Sequence, residues 1–387
     1  MIKKNILVVD DSALMRRLIS DIINSDNRFM VKDLANNGLE ALDLIIKNRM
    51  TYDAVMLDIN MPKLNGLELL EQLQKNHIKM TVIMVSTLTK EGAKETIIAL
   101  ERGAFDFITK PENYLEAKNE TFKNRLLDML ALATSAPALP STAENQKVPA
   151  AIKRTRTSES DLGRTDVKNY VAVNKHMQFP PHKRFVGNKA GKSKLIALAC
   201  STGGPKSLQQ VIPKLPANLD APMILVQHMP AGFTNSLAQR LNDISKVNVK
   251  EAADGEILKK GCVYIAPGGR QMKIKKEGSS YKIVITNEPA RDGLRPCANI
   301  MYESLIDSAF DEITCVVLTG MGADGTNGIG MLGEKRNIYV IAQDEETSVV
   351  YGMPKTVAEA KLVDEVHPLD NIAKAILENV GVINDGR

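Results

Sequence analysis

The chain has 387 residues, 44% of them hydrophobic and 25% charged, a globular composition too long for one ordinary core. A formal charge of +4, no tryptophan and only 4% aromatic residues argue against a nucleic-acid surface built on basic patches or base stacking. No run approaches the ~18 apolar residues that span a bilayer, and the run after Lys3 and Lys4 stops at Asp10, too short for a signal sequence, so a cytoplasmic chain without membrane insertion is expected.

From residue 1 to 132, strand-like apolar runs at 5–9, 30–34, 54–57, 81–85 and 106–108 alternate with helical spacings such as Leu14, Leu18, Ile22 and Leu39, Leu42, Ile45, Ile46. The run at 30–34 is the weakest of the five. Five βα units of this length predict a doubly wound parallel sheet. Residues 133–192 differ in kind. Pro137, Pro140, Pro149, Pro180 and Pro181, many Ser and Thr, and eleven basic residues against four acidic predict a flexible linker, with one short ordered piece around 170–173. From 193 to 387 the alternation resumes, with strands at 195–199, 223–227, 262–266, 314–319 and 338–342. A hairpin pairing 271–276 with 281–286 around Glu277-Gly278-Ser279 interrupts it. The expected class is α/β, two doubly wound parallel-sheet domains, the second carrying an antiparallel hairpin.

In the first domain acids gather where strands end: Asp10 and Asp11 after the first, Asp58 after the third. A doubly wound sheet brings such ends to one crevice. Three carboxylates there repel unless a hard cation such as Mg²⁺ sits among them. Ser86 follows the fourth strand and Lys110 the fifth. Acids, hydroxyl and ammonium are what an acyl-phosphate site needs, the carboxylate attacking and the cations neutralising phosphoryl oxygens. Val9-Asp10-Asp11-Ser12, Leu57-Asp58-Ile59-Asn60-Met61-Pro62, Val85-Ser86 and Thr109-Lys110-Pro111 together resemble the signature of response-regulator receiver domains, which are flavodoxin-like. The resemblance implies that Asp58 accepts the phosphoryl group and that Asp10, Asp11, Asp58 and the Asn60 carbonyl hold Mg²⁺. It also makes Ser86 the switch hydroxyl and Lys110 the phosphate-facing cation.

Of two phosphate-binding motifs, the one at the end of the linker fails and the one in the second domain is disfavoured. Gly187-Asn188-Lys189-Ala190-Gly191-Lys192-Ser193 has three residues between its glycines where a P-loop has four, and it precedes a strand. Gly320-Met321-Gly322-Ala323-Asp324-Gly325 fits a dinucleotide fingerprint, with Asp344 about twenty residues on, but Asp324 puts a carboxylate where a pyrophosphate belongs. Cys200, Cys262, Cys297 and Cys315 are dispersed, giving neither a zinc motif nor a disulfide framework.

A hydrolase reading uses other residues. Ser201 follows a strand and precedes Thr202-Gly203-Gly204-Pro205, and Pro205 fits the first turn of a helix. Taken alone, Ser201 reads better as a helix cap, since caps far outnumber nucleophiles. His228 ends the next strand, and Asp324 follows a third. Of the second domain's two histidines, His228 shares the Ser201 crevice, whereas His367 lies near the end of the chain. Nucleophile, base and orienting acid make a coherent set.

Cys200-Ser201-Thr202-Gly203-Gly204-Pro205, Val226-Gln227-His228-Met229-Pro230, Leu318-Thr319-Gly320-Met321-Gly322-Ala323-Asp324-Gly325 and Gly352-Met353-Pro354 resemble the Rossmann-like catalytic domain of the chemotaxis methylesterase CheB family. The order receiver, linker, esterase matches that family. The resemblance implies a phosphorylation-activated hydrolase of glutamyl methyl esters on chemoreceptors, with glutamine deamidation in many members. It implies Ser201 as nucleophile, His228 as base, Asp324 as its orienter, and Thr202 and the Met321 backbone lining the site. No cofactor is implied for the esterase, and the implied partners are methyl-accepting chemoreceptors and a chemotaxis histidine kinase as phosphodonor. The chain departs from the family pattern in two places. Gln271 stands near a usual histidine, and Leu294-Arg295-Pro296-Cys297-Ala298-Asn299 replaces a His-x-Pro-Ser-Val-Asp-like run. These departures leave room for a signalling adaptor with a degenerate esterase domain, and the 320–325 glycines for a nucleotide-binding oxidoreductase.

Overall fold

A computed structural model of the chain describes residues 2–48, 51–111, 120–135, 179–180 and 192–383. The first sheet contains β1 (Lys4–Val9), β2 (Phe29–Ala35), β3 (Ala54–Asp58), β4 (Val82–Ser86) and β5 (Asp106–Thr109), all parallel, in the order β2-β1-β3-β4-β5. Helices α1 (Ala13–Asn24), α2 (Gly38–Lys47), α3 (Gly66–Lys75), α4 (Lys90–Glu101) and α5 (Glu120–Ala133) accompany it. Strands β3 and β4 are buried throughout, which is why they read as unbroken apolar runs. Edge strand β2 alternates in burial, and its apolar pattern is weaker for that reason. Ser12, Asn37, Asn65 and Thr89 start four of the helices, each side chain accepting a backbone N–H of the first turn.

The second body contains β6 (Lys194–Cys200), β7 (Met223–Gln227), β8 (Asn248–Glu251), β9 (Cys262–Ile265), the hairpin β10 (Gln271–Glu277) and β11 (Ser280–Thr286), then β12 (Glu312–Val317), β13 (Ile338–Gln343) and β14 (Glu365–His367). Seven of these form one parallel sheet in the order β14-β13-β12-β6-β7-β9-β8. Its helices are α6 (Gly204–Val211), α7 (Phe233–Ile244), α8 (Ala298–Glu303), α9 (Thr326–Lys335), α10 (Met353–Glu359) and α11 (Leu369–Val380). The chain runs outward from β6 to one side through β7, β9 and β8, and to the other through β12, β13 and β14. The topological switch point therefore lies beside β6, where a doubly wound sheet forms its crevice. Short strands β8 and β14 were not expected from the sequence, and β12 ends at Val317, leaving Thr319 in the loop.

The expected linker and its ordered piece at 170–173 lie mostly outside the described residues. Near its end, the Phe179 ring occupies the place a Cβ on Gly330 of α9 would need, so this aromatic is docked on the second body.

Helix α4 of the first body packs on α6 and α7 of the second. The Phe107 and Phe233 rings stack with centroids 4.7 Å apart and an interplanar angle of 12°. Arg240 Nε lies 2.5 Å from Glu101 Oε1. Ile97, Leu100, Phe107, Phe233, Leu237 and Leu241 belong to one continuous apolar cluster across this junction. The Asp106 carboxyl is pushed up to about 6 by burial, against the Phe107 N–H, a hydrogen bond from the Thr202 hydroxyl and the charge of Arg125. Thr202 is the neighbour of Ser201, so the first body touches the loop that carries that serine.

Candidate active site

At the carboxyl end of the first sheet, Asp10, Asp11 and Asp58 each offer a carboxylate oxygen, the three atoms lying within 4.8 Å of one another. Lys110 Nζ sits 2.7 Å from Asp58 Oδ2 and 2.9 Å from Asp10 Oδ2. The second contact is an ion pair without hydrogen-bond alignment, so the buried Asp10 Oδ2 has no donor. Burial pushes the Asp58 carboxyl up to about 6, against the hydrogen bond and charge of Lys110, while Asp10 adds to the rise. Burial also disfavours the Lys110 ammonium, but its pairing with the Asp58 and Asp10 carboxylates outweighs that and holds it above its ordinary value. An undonated buried oxygen within a cluster of hard oxygen ligands fits a divalent cation such as Mg²⁺. The Asn60 side-chain amide donates to Glu95 of α4 and leaves the backbone carbonyl for the role implied above.

Ser86 does not face Asp58 in this conformation. Its hydroxyl is bonded to the Gly92 carbonyl at 3.2 Å and accepts from Thr96 Oγ1 at 2.8 Å, both on α4. The hydroxyl expected to act as the switch is thus tied to the helix that meets the second body.

In the second sheet, Cys200 and Gln227 are register partners on neighbouring strands, so Ser201 and His228 leave adjacent strand ends about 5 Å apart. His228 Nε2 lies 2.8 Å from Asp324 Oδ2. Ser201 is half-buried and its hydroxyl bonds to no described residue. The helix-cap alternative is not realised: the cap of α6 is Gly203, at φ 76°. A Cβ there would lie 2.5 Å from Val349 Cβ, so both backbone and space require glycine. The backbone N–H groups of Thr202 and Met321 bond to no carbonyl among the described residues, leaving two donors beside the serine. His367 stands apart on edge strand β14, its Nε2 2.9 Å from Glu365.

Burial opposes ionisation of Asp324, but the hydrogen bond and charge of His228 and the N–H groups of Asn299 and Ala298 outweigh it, holding the carboxyl below its ordinary value. The carboxylate occupies its own loop as an anion would, which removes the dinucleotide reading. Asp344, the supposed ribose acid, instead accepts the Thr347 N–H and hydroxyl in a local turn.

Three polar residues behind this site, Gln227, Thr319 and Gln343, had no role assigned from the sequence, although the first two lie within the motifs quoted above. Gln227 Nε2 donates to the Ser201 carbonyl at 3.1 Å and, weakly, to that of His228, while its Oε1 accepts from Cys200 Sγ. It ties the two strand ends together. Thr319 Oγ1 donates to the Thr202 carbonyl at 3.0 Å, and the Thr319 N–H donates to Gln343. A polar side chain closing an otherwise apolar strand, as Gln227 and Gln343 do, was the available signal.

Gly320 allows Ser201 its place. A Cβ on Gly320 would lie 2.5 Å from Met353 Sδ and 2.8 Å from Ser201 Cβ. Gly320→Ala should lower the midpoint of thermal unfolding by roughly 3–10 °C, the cost of overpacking a tight site. It should also reduce hydrolysis more than tenfold, because the serine loop must shift; a melt and a rate equal to wild type would contradict this account.

Residues 196–376 match the model of the family described as CheB methylesterase, and residues 6–119 that of the response regulator receiver domain. A Desulfotalea psychrophila protein named protein-glutamate methylesterase/protein-glutamine glutaminase is 40% identical over 378 residues, covering 97% of this chain and 98% of that one. A Bacillus subtilis protein of the same name is 38% identical over 372 residues, covering 96% and 97%. The crystal structure of the Thermotoga maritima CheB methylesterase catalytic domain covers 48% of this chain and 98% of its own, at 41% identity and a TM-score of 0.47.

Proposed function

Because the chain belongs to the family of protein-glutamate methylesterases/protein-glutamine glutaminases, we propose that it hydrolyses methyl esters of chemoreceptor glutamates, and deamidates receptor glutamines, under control of phosphorylation at Asp58. The domain limits that fit are a receiver at 1–132, a linker at 133–192 and an esterase at 193–387. The observation that carries the reaction is the bond between His228 and Asp324 on the strand ends flanking Ser201.

Ser201 Oγ attacks the ester carbonyl carbon as its proton passes to His228. With Nε2 engaged by Asp324, Nδ1 is the nitrogen left for that proton. Asp324 holds the ring and stabilises the imidazolium. The N–H groups of Thr202 and Met321, unbonded to any described carbonyl, would take the oxyanion. Collapse of the tetrahedral adduct breaks the C–O bond, and His228 returns the proton to the departing methoxide, giving methanol. Water, deprotonated by His228, then cleaves the acyl-serine and leaves glutamate. Met321, 52% exposed at the rim, offers an apolar contact to a receptor helix. Release of methanol from membranes carrying methylated chemoreceptors tests the reading; receptor binding without methanol release would favour the adaptor.

Asp10, Asp11, Asp58 and the Asn60 carbonyl would hold Mg²⁺, which when bound neutralises phosphoryl oxygens. Asp58 supplies the attacking carboxylate, and Lys110 faces the incoming phosphoryl group. Ser86, now bonded to α4, would be drawn toward that group, loosening the start of the helix that packs on α6 and α7. The closed junction supports restraint of the esterase by the receiver, since a cavity of about 190 Å³ at the seam is walled by Leu100, Gly103 and Phe105 on one side and Gly203, Lys206 and Val349 on the other. Phosphodonor is expected from a chemotaxis histidine kinase. No helix among the described residues is long and apolar enough to cross a membrane.

Asp58→Ala should abolish stoichiometric labelling by a small acyl phosphate in Mg²⁺ and remove the activation that labelling produces. Neither Asp10 nor Asp11 should substitute, because Asp58 ends its own strand, β3, with Oδ2 2.7 Å from Lys110 Nζ. Mass measurement of the treated variant checks this, and full labelling at another acid would refute it.

A further inference from the structure

The two departures from the family pattern converge on one atom cluster behind His228. Gln271 is fully buried; its Nε2 donates to the Pro289 and Leu294 carbonyls, each at 3.2 Å, and its Oε1 accepts from the Cys297 N–H at 2.9 Å. Cys297, 2% exposed, begins α8 but gives its own helix no side-chain cap. Its Sγ instead points at Asp324 Oδ1, 3.1 Å away. Asn299 Oδ1 accepts the N–H groups of Gly325 and Gly328, fastening the loop that presents Asp324.

Asp324 therefore has two fully used oxygens. Oδ2 accepts from His228 Nε2 and from the Ala298 N–H at 2.6 Å; Oδ1 accepts from the Asn299 N–H at 2.9 Å and from Cys297. We propose that Cys297 is a positioning residue for the hydrolysis: its thiol donates to Asp324 and fixes the carboxylate that orients His228, with Gln271 holding Cys297 in register. The proposal rests on the serine–histidine–aspartate reading of the site.

The chemistry of sulfur suits the role. A thiol is a weak acceptor, so Cys297 has little to gain by turning back to cap α8 and is left to donate outward. Burial and the neighbouring Asp324 charge push it up to about 12, which keeps the proton needed for donation. The other groups facing this cluster are quiet. Tyr302, kept neutral by burial, donates to the Ala197 and Val316 carbonyls, and Arg291 is paired with Glu303. Removing the S–H donor makes Asp324 a stronger partner for the imidazolium and leaves Oδ1 held by the Asn299 N–H alone.

The test compares Cys297→Ala, Cys297→Ser and Ser201→Ala in the full chain, activated by a small acyl phosphate and assayed by methanol release from methylated receptor membranes. Cys297→Ala should lower kcat about tenfold with KM unchanged, as loss of a hydrogen bond to a charged group does, and should move the acid limb of kcat/KM to higher pH. Cys297→Ser, which keeps a donor, should restore both to within about twofold of wild type. An unchanged Cys297→Ala profile overturns the proposal, as does an equal loss in the alanine and serine variants. A readout free of activity is the infrared S–H stretch of Cys297, taken as wild type minus Cys297→Ser. It should lie below that of a free thiol and move back in Asp324→Asn; an S–H band indifferent to Asp324 overturns the proposal even if a variant folds poorly. Retained hydrolysis in Ser201→Ala would remove the nucleophile assignment, while the S–H band would still report the bond to Asp324.

Discussion

Ser201→Ala and His228→Ala should each cut methanol release by at least ~10³-fold, and the double variant should be no worse than either single one, because members of such a unit act together. Ser201 supplies the oxygen that attacks and His228 the nitrogen that takes its proton, so losing either removes the same route. Asp324→Asn should be milder in rate than the other two, since the base remains. It carries a second cost. Asp324 accepts from four donors, His228 Nε2, Cys297 Sγ and the N–H groups of Ala298 and Asn299. An amide would turn an NH₂ toward one of those donor pairs, so the asparagine variant should also melt at lower temperature. His367 gives the control. Its imidazole is bonded to Glu365 on edge strand β14, and His367→Ala should leave the rate within about twofold of wild type. A severe loss in His367→Ala with a mild one in His228→Ala would reverse the assignment of the base.

Opening the junction between the two bodies should raise the rate of the unphosphorylated chain by about 5–150-fold, the span of ordinary coupling energies. Phe107→Ala removes the ring stacked on Phe233 and should give the larger rise. Reversing Arg240 or Glu101 alone should give a smaller one, because Arg240 is 42% exposed and water screens the pair. Exchanging both charges, Arg240→Glu with Glu101→Arg, should restore restraint, which a nonspecific loss of stability does not do. Addition of a small acyl phosphate should activate wild type strongly and Phe107→Ala weakly, since the variant already lies toward the open state. The measurement is the initial rate of methanol release with and without the phosphodonor. Equal unphosphorylated rates in wild type and Phe107→Ala would end the idea that this junction restrains the enzyme.

The alternation of apolar runs and helical spacing determined the two doubly wound sheets, because strands such as β3 and β4 are buried on both faces and leave an unbroken apolar trace. Edge strands β2, β8 and β14 escaped or came through faintly for the opposite reason: β14 has three residues, none of them fully buried, so no local pattern marks it. The positions of Asp10, Asp58, Ser201, His228 and Asp324 were also legible. Each ends or follows a strand, and in each sheet parallel topology brings such ends to one crevice. What no sequence pattern could decide is which atoms meet there. The His228–Asp324 bond joins residues 96 apart, and the bonds from Gln227 to Ser201 and from Cys297 to Asp324 join residues 26 and 27 apart. Such contacts depend on strand order and loop course, not on neighbours along the chain. The meaning of the departures followed the same rule. Gln271 and Cys297 look like lost family residues in one dimension; in three, burial leaves their polar atoms no solvent, and the partners they find instead lie behind the Asp324 carboxylate.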